Sequence, residues 1–136
     1  MNANTLNDPI LSPYIAAAMG KKAFNIRVMA VRNLTTIADY FIICSARSSR
    51  QVAAIAEHIQ KELRDHKKKP LGIEGTTENH WVLMDYGDVI IHVFYEPVRL
   101  TYNLEGLWRD APGMNIPDPI DANTYDETED EDEDDE

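Results

Sequence analysis

Hydrophobic and polar positions along this chain change period several times, and each change marks an element. Ile10, Leu11, Tyr14, Ile15 and Ala18 recur at helical spacing between Asp8 and Met19. Asp8-Pro9 and Ser12-Pro13 are both cap-then-proline openings, and Gly20 is a natural stop, so a first helix is expected there. From Phe24 the period drops to two: Ile26, Val28 and Ala30 alternate with Arg27, Met29 and Val31, which predicts a strand. A polar connection, "RNLTTIAD", leads into "YFIICSA", a continuous apolar run of strand length. Such a run predicts a strand covered on both faces.

Ser48 opens the best-defined helix, because Gln51 three residues on completes a capping box. Val52, Ile55, Ala56, Ile59 and Leu63 then repeat at helical spacing, while Glu57, Lys61, Arg64 and Asp65 point away. Lys67 to Lys69 place cations where the helix dipole favours them, and Pro70 enforces the stop. "PLGIEG" reads as a short strand and "TTENH" as a loop. In "WVLMDYGDVIIHVFY", Trp81, Leu83 and Asp85 alternate with Val82 and Met84, Tyr86-Gly87 turns the chain, and Val89 to Tyr95 returns as a second strand. Glu96-Pro97 begins a last helix expected to pack down through Val98, Leu100, Leu104, Leu107 and Trp108.

The predicted order is α-β-β-α-β-β-β-α, a single α/β domain with a mixed sheet of about five strands and helices packed on it. The first two strands should pair antiparallel, and the crossover through the Ser48 helix should bring in a parallel neighbour. Residues 1–112 form the expected domain, and 113–136 the expected linker and disordered acidic tail, because "GMNIPDPIDANTYD" has the Gly, Pro and Asn content of a linker.

Charge changes the picture only once it is located. The chain has 136 residues and a formal net charge of -11. Asp126 to Glu136 reads DETEDEDEDDE and holds ten carboxylates; without it, 14 acidic residues face 13 basic ones. The body is therefore nearly neutral, and a block of like charges repels itself and buries no core. A solubility role is the plain reading of that tail; repulsion of RNA and contact with basic protein segments are the others. One cysteine, Cys44, makes no internal disulfide and fits a reducing compartment. No basic leader followed by a long apolar stretch is visible, and no apolar run approaches bilayer length, so a soluble cytoplasmic protein is expected.

Candidate chemistry is sparse. Asp85 and Asp88 flank a turn, which asks for Asp and Gly on conformational grounds alone, and no third ligand stands at metal spacing. His92 shares a strand face with Ile90 and Phe94, the pattern of a hydrogen-bonded structural histidine. No phosphate loop or nucleophile elbow occurs. "SARSSR" offers a helix N-terminus to a phosphate, but Ser48 already serves as a cap. "KELRDHKKK" reads as a solvated basic face. Trp81 suits either of two roles, filling the core or anchoring a recognition surface.

Four segments in register, "TTIADYFIICSARSSRQVAAIAEHI", "PLGIEG", "WVLMDYGDVIIHVFYEP" and "YNLEGLW", resemble the Iojap-related ribosomal silencing factors over about Phe24 to Trp108. The acidic tail is not a regular part of that pattern. The resemblance implies a mixed α/β domain without catalytic activity or cofactor. It implies binding to the large ribosomal subunit through its protein fourteen, without specific nucleic-acid recognition or membrane contact. The small subunit is thereby kept from joining, and translation falls under nutrient limitation. A homodimer of the free protein is also allowed. The implied partner-binding residues are Trp81, Leu83, Asp85, Tyr86, Gly87 and Asp88, with Asp39 and Tyr40 beside them. The alternative is a nucleotide-binding enzyme like a nucleotidyltransferase, with the nucleotide near Ser48 and Arg50.

Overall fold

A computed structural model describes residues 6–118. A 3-10 turn, Pro9–Leu11, is capped by the Asp8 carboxylate, which accepts from the Ile10 N–H. It runs into α1, Ser12–Ala18, where Pro13 sits in the first turn; Ser12, expected as a cap, is the first helical residue instead, with Leu11 at the N-cap position and no side-chain cap bond. Strands β1 (Phe24–Ala30) and β2 (Tyr40–Ala46) follow, then the long helix α2 (Ser49–Asp65), β3 (Gly72–Glu74), β4 (Trp81–Asp85) and β5 (Val89–Tyr95). Two short helices, α3 (Glu96–Tyr102) and α4 (Leu104–Leu107), and a last strand, β6 (Gly113–Ile116), complete the order.

The strands form one six-stranded mixed sheet in the order β3-β4-β5-β2-β1-β6. β1 and β2 pair antiparallel, and β2 and β5 pair parallel through the α2 crossover, as the sequence predicts. Two expectations are corrected at the chain's later end. Gly113–Ile116, read as the start of a linker, is a sheet strand: Ile26, Arg27, Val28 and Met29 pair with Ile116, Asn115, Met114 and Gly113. A Gly-Pro-rich composition hides so short an edge strand, because its hydrogen bonds come from a partner almost ninety residues away. The expected last helix breaks in two, because Asn103 takes a left-handed conformation (φ 49°) and its side chain caps α4 at Gly106. Leu100 and Leu107, expected to pack down, are 69% and 75% exposed. The rest of the expected linker and the acidic tail, from Pro119 onward, lies outside the described residues.

The pleat sorts side chains onto two unequal faces. Ile26, Val28, Ile42, Cys44, Val82, Met84, Ile91 and Val93 meet α1 and α2 in the larger core. Ser48 accepts from Gln51 N at 3.0 Å to start α2, and the Gln51 side chain reaches back to the Arg47 N–H. Val52, Ile55, Ile59 and Leu63 are essentially fully buried beneath it. Each such side chain contributes on the order of 1.5–3 kcal/mol by leaving water. The other face carries Met29, Phe41, Ile43, Ile90 and Phe94, with Val98, Leu104 and Trp108 from α3, α4 and their exit packed against them. Every residue of β2 is buried, the two-sided covering that its unbroken apolar run predicts.

A candidate docking strip on β4

Helices α3 and α4 cover only part of the second face. Trp108 sets its ring at 90° to Phe41, 5.3 Å between centroids, so cover falls on the β2 side. β4, toward the β3 edge, keeps a row that is only partly buried: Trp81, Leu83 and Asp85. Val82 and Met84 of the same strand are fully buried against α1 and α2. Alternation along one strand thus anchors β4 on one side and leaves a strip open on the other.

Trp81 is neither pure core nor a free surface ring. Its indole stacks on Phe94 at 4.8 Å and lies 5.0 Å from the ring of Tyr102. Its Nε1 donates to His92 Nδ1 at 3.1 Å. His92 is 4% exposed, and burial pulls its pKa down to about 4, so it is a neutral structural residue as its strand position suggested. Beside the indole lies a shallow recess of about 330 Å³, formed with His80, Val98, Tyr102 and the Gly75–Glu78 loop. Gly75 closes that loop at φ 92°, and a Cβ there would stand 2.0 Å from the Trp81 carbonyl oxygen.

At the other end of the strip, the Asp85 carboxylate accepts from the Gly87 N–H at 2.8 Å, and Tyr86 N donates to Val89 O at 2.9 Å. Gly87 takes φ 89°, the positive angle that a two-residue hairpin turn requires at its first central position. Asp85 is thus engaged in forming the turn, and Asp88 is exposed at its tip. Among the described residues, no three His, Cys, Asp or Glu side chains are placed to hold a metal ion.

The remaining candidates divide. Asp88 O accepts from both Asp39 N (2.8 Å) and Tyr40 N (3.1 Å), so the parallel β2–β5 pairing brings the two sequence-distant groups to one rim. Asp39 is partly exposed there, with Arg32 Nε 3.5 Å from its carboxylate. Tyr40 is 1% exposed, and its hydroxyl donates to Asp8 at 2.9 Å, so it supports the rim from below and offers no contact surface of its own. Burial, then the Asp8 hydrogen bond and charge, push the Tyr40 phenol up to about 12. The Tyr86 ring turns to the helix side and meets Tyr14 edge-on at 5.7 Å. Trp81, Leu83, Asp85, Gly87 and Asp88 therefore share the open face and rim, with Tyr40 and Tyr86 behind them. Sequence reasoning missed Tyr102 and Val98 as neighbours of Trp81, because only the fold-back of α3 brings them there.

The family described as "RsfS: Ribosomal silencing factor during starvation" matches residues 5–136. This chain belongs to the ribosomal silencing factor family. It is 42% identical over 112 residues to the ribosomal silencing factor RsfS of Bacillus subtilis, spanning 78% of this chain and 95% of the relative. It is 37% identical over 110 residues to the RsfS of Halalkalibacterium halodurans, spanning 81% of this chain and 94% of the relative. A crystal structure of a Chromobacterium violaceum protein, 31% identical, superposes with a TM-score of 0.71 over 85% of this chain and 93% of that one. As a ribosomal silencing factor, the chain belongs with regulators of translation that associate with the ribosome rather than with enzymes. Among the described residues no helix is long and apolar enough to cross a membrane. Ser48 is taken up as the α2 cap.

Proposed function

We propose that this silencing factor docks on the large ribosomal subunit, against its protein fourteen, and there bars the small subunit from joining. Translation is lowered in this way when nutrients are limited, in the cytoplasm where ribosomes work. The observation that carries the reading is the open strip Trp81–Leu83–Asp85, ending in the Asp88 tip, on a chain of this family. An aromatic anchor held by Phe94 and His92 behind it loses little freedom when a partner covers it, which is what interface hot spots require. Asp85, Gly87 and Asp88 form the polar rim, with Asp39 beside them. Blocking a joining surface requires bulk and affinity in the right place, and no bond is made or broken.

Sucrose-gradient sedimentation of purified ribosomal subunits tests the proposal. With saturating protein, the large-subunit peak should carry the chain, and the joined-particle peak should collapse. Joined particles at an unchanged yield overturn it, as does co-migration of the chain with the small subunit instead. The same reading includes a homodimer of the free chain, and sedimentation equilibrium of the pure protein distinguishes that from a monomer.

A further inference from the structure

Charge is unevenly spread over the sheet. From Pro70 to Val98 the sequence holds five carboxylates, Glu74, Glu78, Asp85, Asp88 and Glu96, and neither Lys nor Arg. That run forms β3, β4 and β5, one half of the sheet. Glu74 pairs directly with Leu83, and opposed residues project to the same side, so Glu74 stands on the face of the open strip. Cations lie elsewhere, Lys21, Lys61 and Arg64 among them around α2.

The recess of about 330 Å³ beside Trp81 lies in this cation-free half. Trp81 and Tyr102 are two of its walls, with ring centroids 5.0 Å apart and planes at 49°. Phe94 stacks on the indole and His92 holds its N–H, so Trp81 is set in place before anything enters. Tyr102 is 61% exposed and belongs to neither core. Glu78, its side chain 73% exposed, is the one carboxylate among the lining residues, none of which is Lys or Arg. Aromatic rings beside a carboxylate attract a cation and favour it over a neutral side chain of the same shape. A guanidinium gains most, since its plane can lie on a ring while its N–H groups reach the carboxylate. We infer that this recess takes a cationic side chain, arginine or lysine, of the protein on which the strip docks. The inference rests on the docking reading and adds to it the chemistry of the partner's anchor. Nucleic acid is disfavoured there, because phosphates would meet Glu74, Glu78 and Asp85 with no cation among them.

Two capped amino acids of nearly the same shape read the recess on the free chain: acetyl-arginine amide, which is charged, and acetyl-citrulline amide, which is not. In titrations at constant ionic strength, the arginine probe should move the Trp81 indole N–H signal and the Glu78 amide about threefold further than the citrulline probe. The indole signal of Trp108, packed on Phe41, should stay in place. Tyr102→Leu removes an exposed ring but no charge, and Glu78→Gln removes an exposed charge but no ring; each should cut the arginine response to roughly half or less. Equal responses to the two probes, or an arginine response unchanged by either substitution, overturn the inference. On large ribosomal subunits, Glu78→Lys should weaken cosedimentation by about tenfold or more. If Glu78→Lys binds at the parent level while Leu83→Glu is released, the strip docks without the recess and this inference falls alone. If the parent chain fails to bind large subunits, the docking reading falls and takes the inference with it.

Discussion

Trp81 and His92 form a diagonal pair across β4 and β5, in which the indole N–H donates to the imidazole Nδ1 at 3.1 Å. The bond places the imidazole proton on Nε2, since Nδ1 is the acceptor. One member belongs to the open strip and the other is buried. Whatever disturbs the imidazole therefore reaches the open strip.

The first consequence is a dependence of stability on pH. The folded His92 has a pKa of about 4, from burial, against an ordinary 6.5 in the unfolded chain. Burial favours its neutral form in the folded state, so the unfolded state binds the proton more readily at any pH between those values. Stability is full above pH 6.5 and falls as pH drops toward 4, by roughly 3 kcal/mol in all at 1.36 kcal/mol per unit. Urea midpoints at pH 7, 5.5 and 4.5 should decline for the parent chain and flatten in this window for His92→Phe. An equally steep decline in the variant would remove His92 as the cause.

Arg99 fastens α3 and α4 to the sheet. Its guanidinium, 7% exposed, meets Glu105 in a forked pair with a shortest contact of 2.6 Å. It also donates to Ser45 Oγ and to the Asn25 carbonyl, both at 2.7 Å. Burial pushes the Glu105 carboxyl up, but the Arg99 hydrogen bond and charge outweigh it and the net shift is downward. Arg99→Ala leaves a buried hydroxyl, a carbonyl and a carboxylate without their donor, so a loss of about 3 kcal/mol or more is expected. Arg99→Lys should recover only part of it, since an ammonium cannot reproduce the fork. Calorimetric melting of both variants checks this, and a parent-like Tm for Arg99→Ala would contradict it.

These two residues also show where sequence reading stops. The period-two and helical runs made β1, α2 and β4 legible, because one buried face imposes one spacing, and the unbroken apolar run of β2 marked a strand buried on both faces. The alternation of Trp81, Leu83 and Asp85 with Val82 and Met84 was legible, but not which of the two rows lies against the helices and which stays partly open. The depth of Tyr40, the inward turn of Tyr86 and the Trp81–Tyr102 contact depend on where α1 and α3 come to rest. Such long-range packing leaves no local period. Arg99 illustrates this best: an arginine in a short helix reads as surface until Ser45 and Asn25 arrive from other strands.

Gly75 sets the backbone at the start of the strip. It has φ 92°, and a Cβ on it would meet the Trp81 carbonyl oxygen at 2.0 Å. Gly75→Ala therefore meets both a disfavoured angle and a backbone clash that no side-chain rotation relieves. A loss of at least about 2 kcal/mol is expected, together with a change in indole fluorescence as Trp81 shifts against Phe94. Gly72→Ala is the control, since nothing lies within 4 Å of its added Cβ. Equal stability of the two variants would show that the loop yields freely.

Leu83 separates docking from folding more cleanly than Trp81 does. Trp81→Ala removes a ring that also stacks on Phe94 and bonds His92, so part of its effect is a loss of stability. Leu83 stands opposite His92 in the pairing and is only partly buried, with its outer side on the open strip. Leu83→Glu puts a charge in the middle of the proposed contact while the carboxylate can still turn to water in the free chain. The melting temperature should fall by only a few degrees. Cosedimentation with large subunits should weaken at least 30-fold, the factor that matches roughly 2 kcal/mol at an interface centre. Leu100→Glu, on a more exposed leucine of α3, should leave binding at the parent level. If both variants bind alike, the contact surface lies elsewhere on the molecule, and the strip on β4 is simply an uncovered part of the sheet.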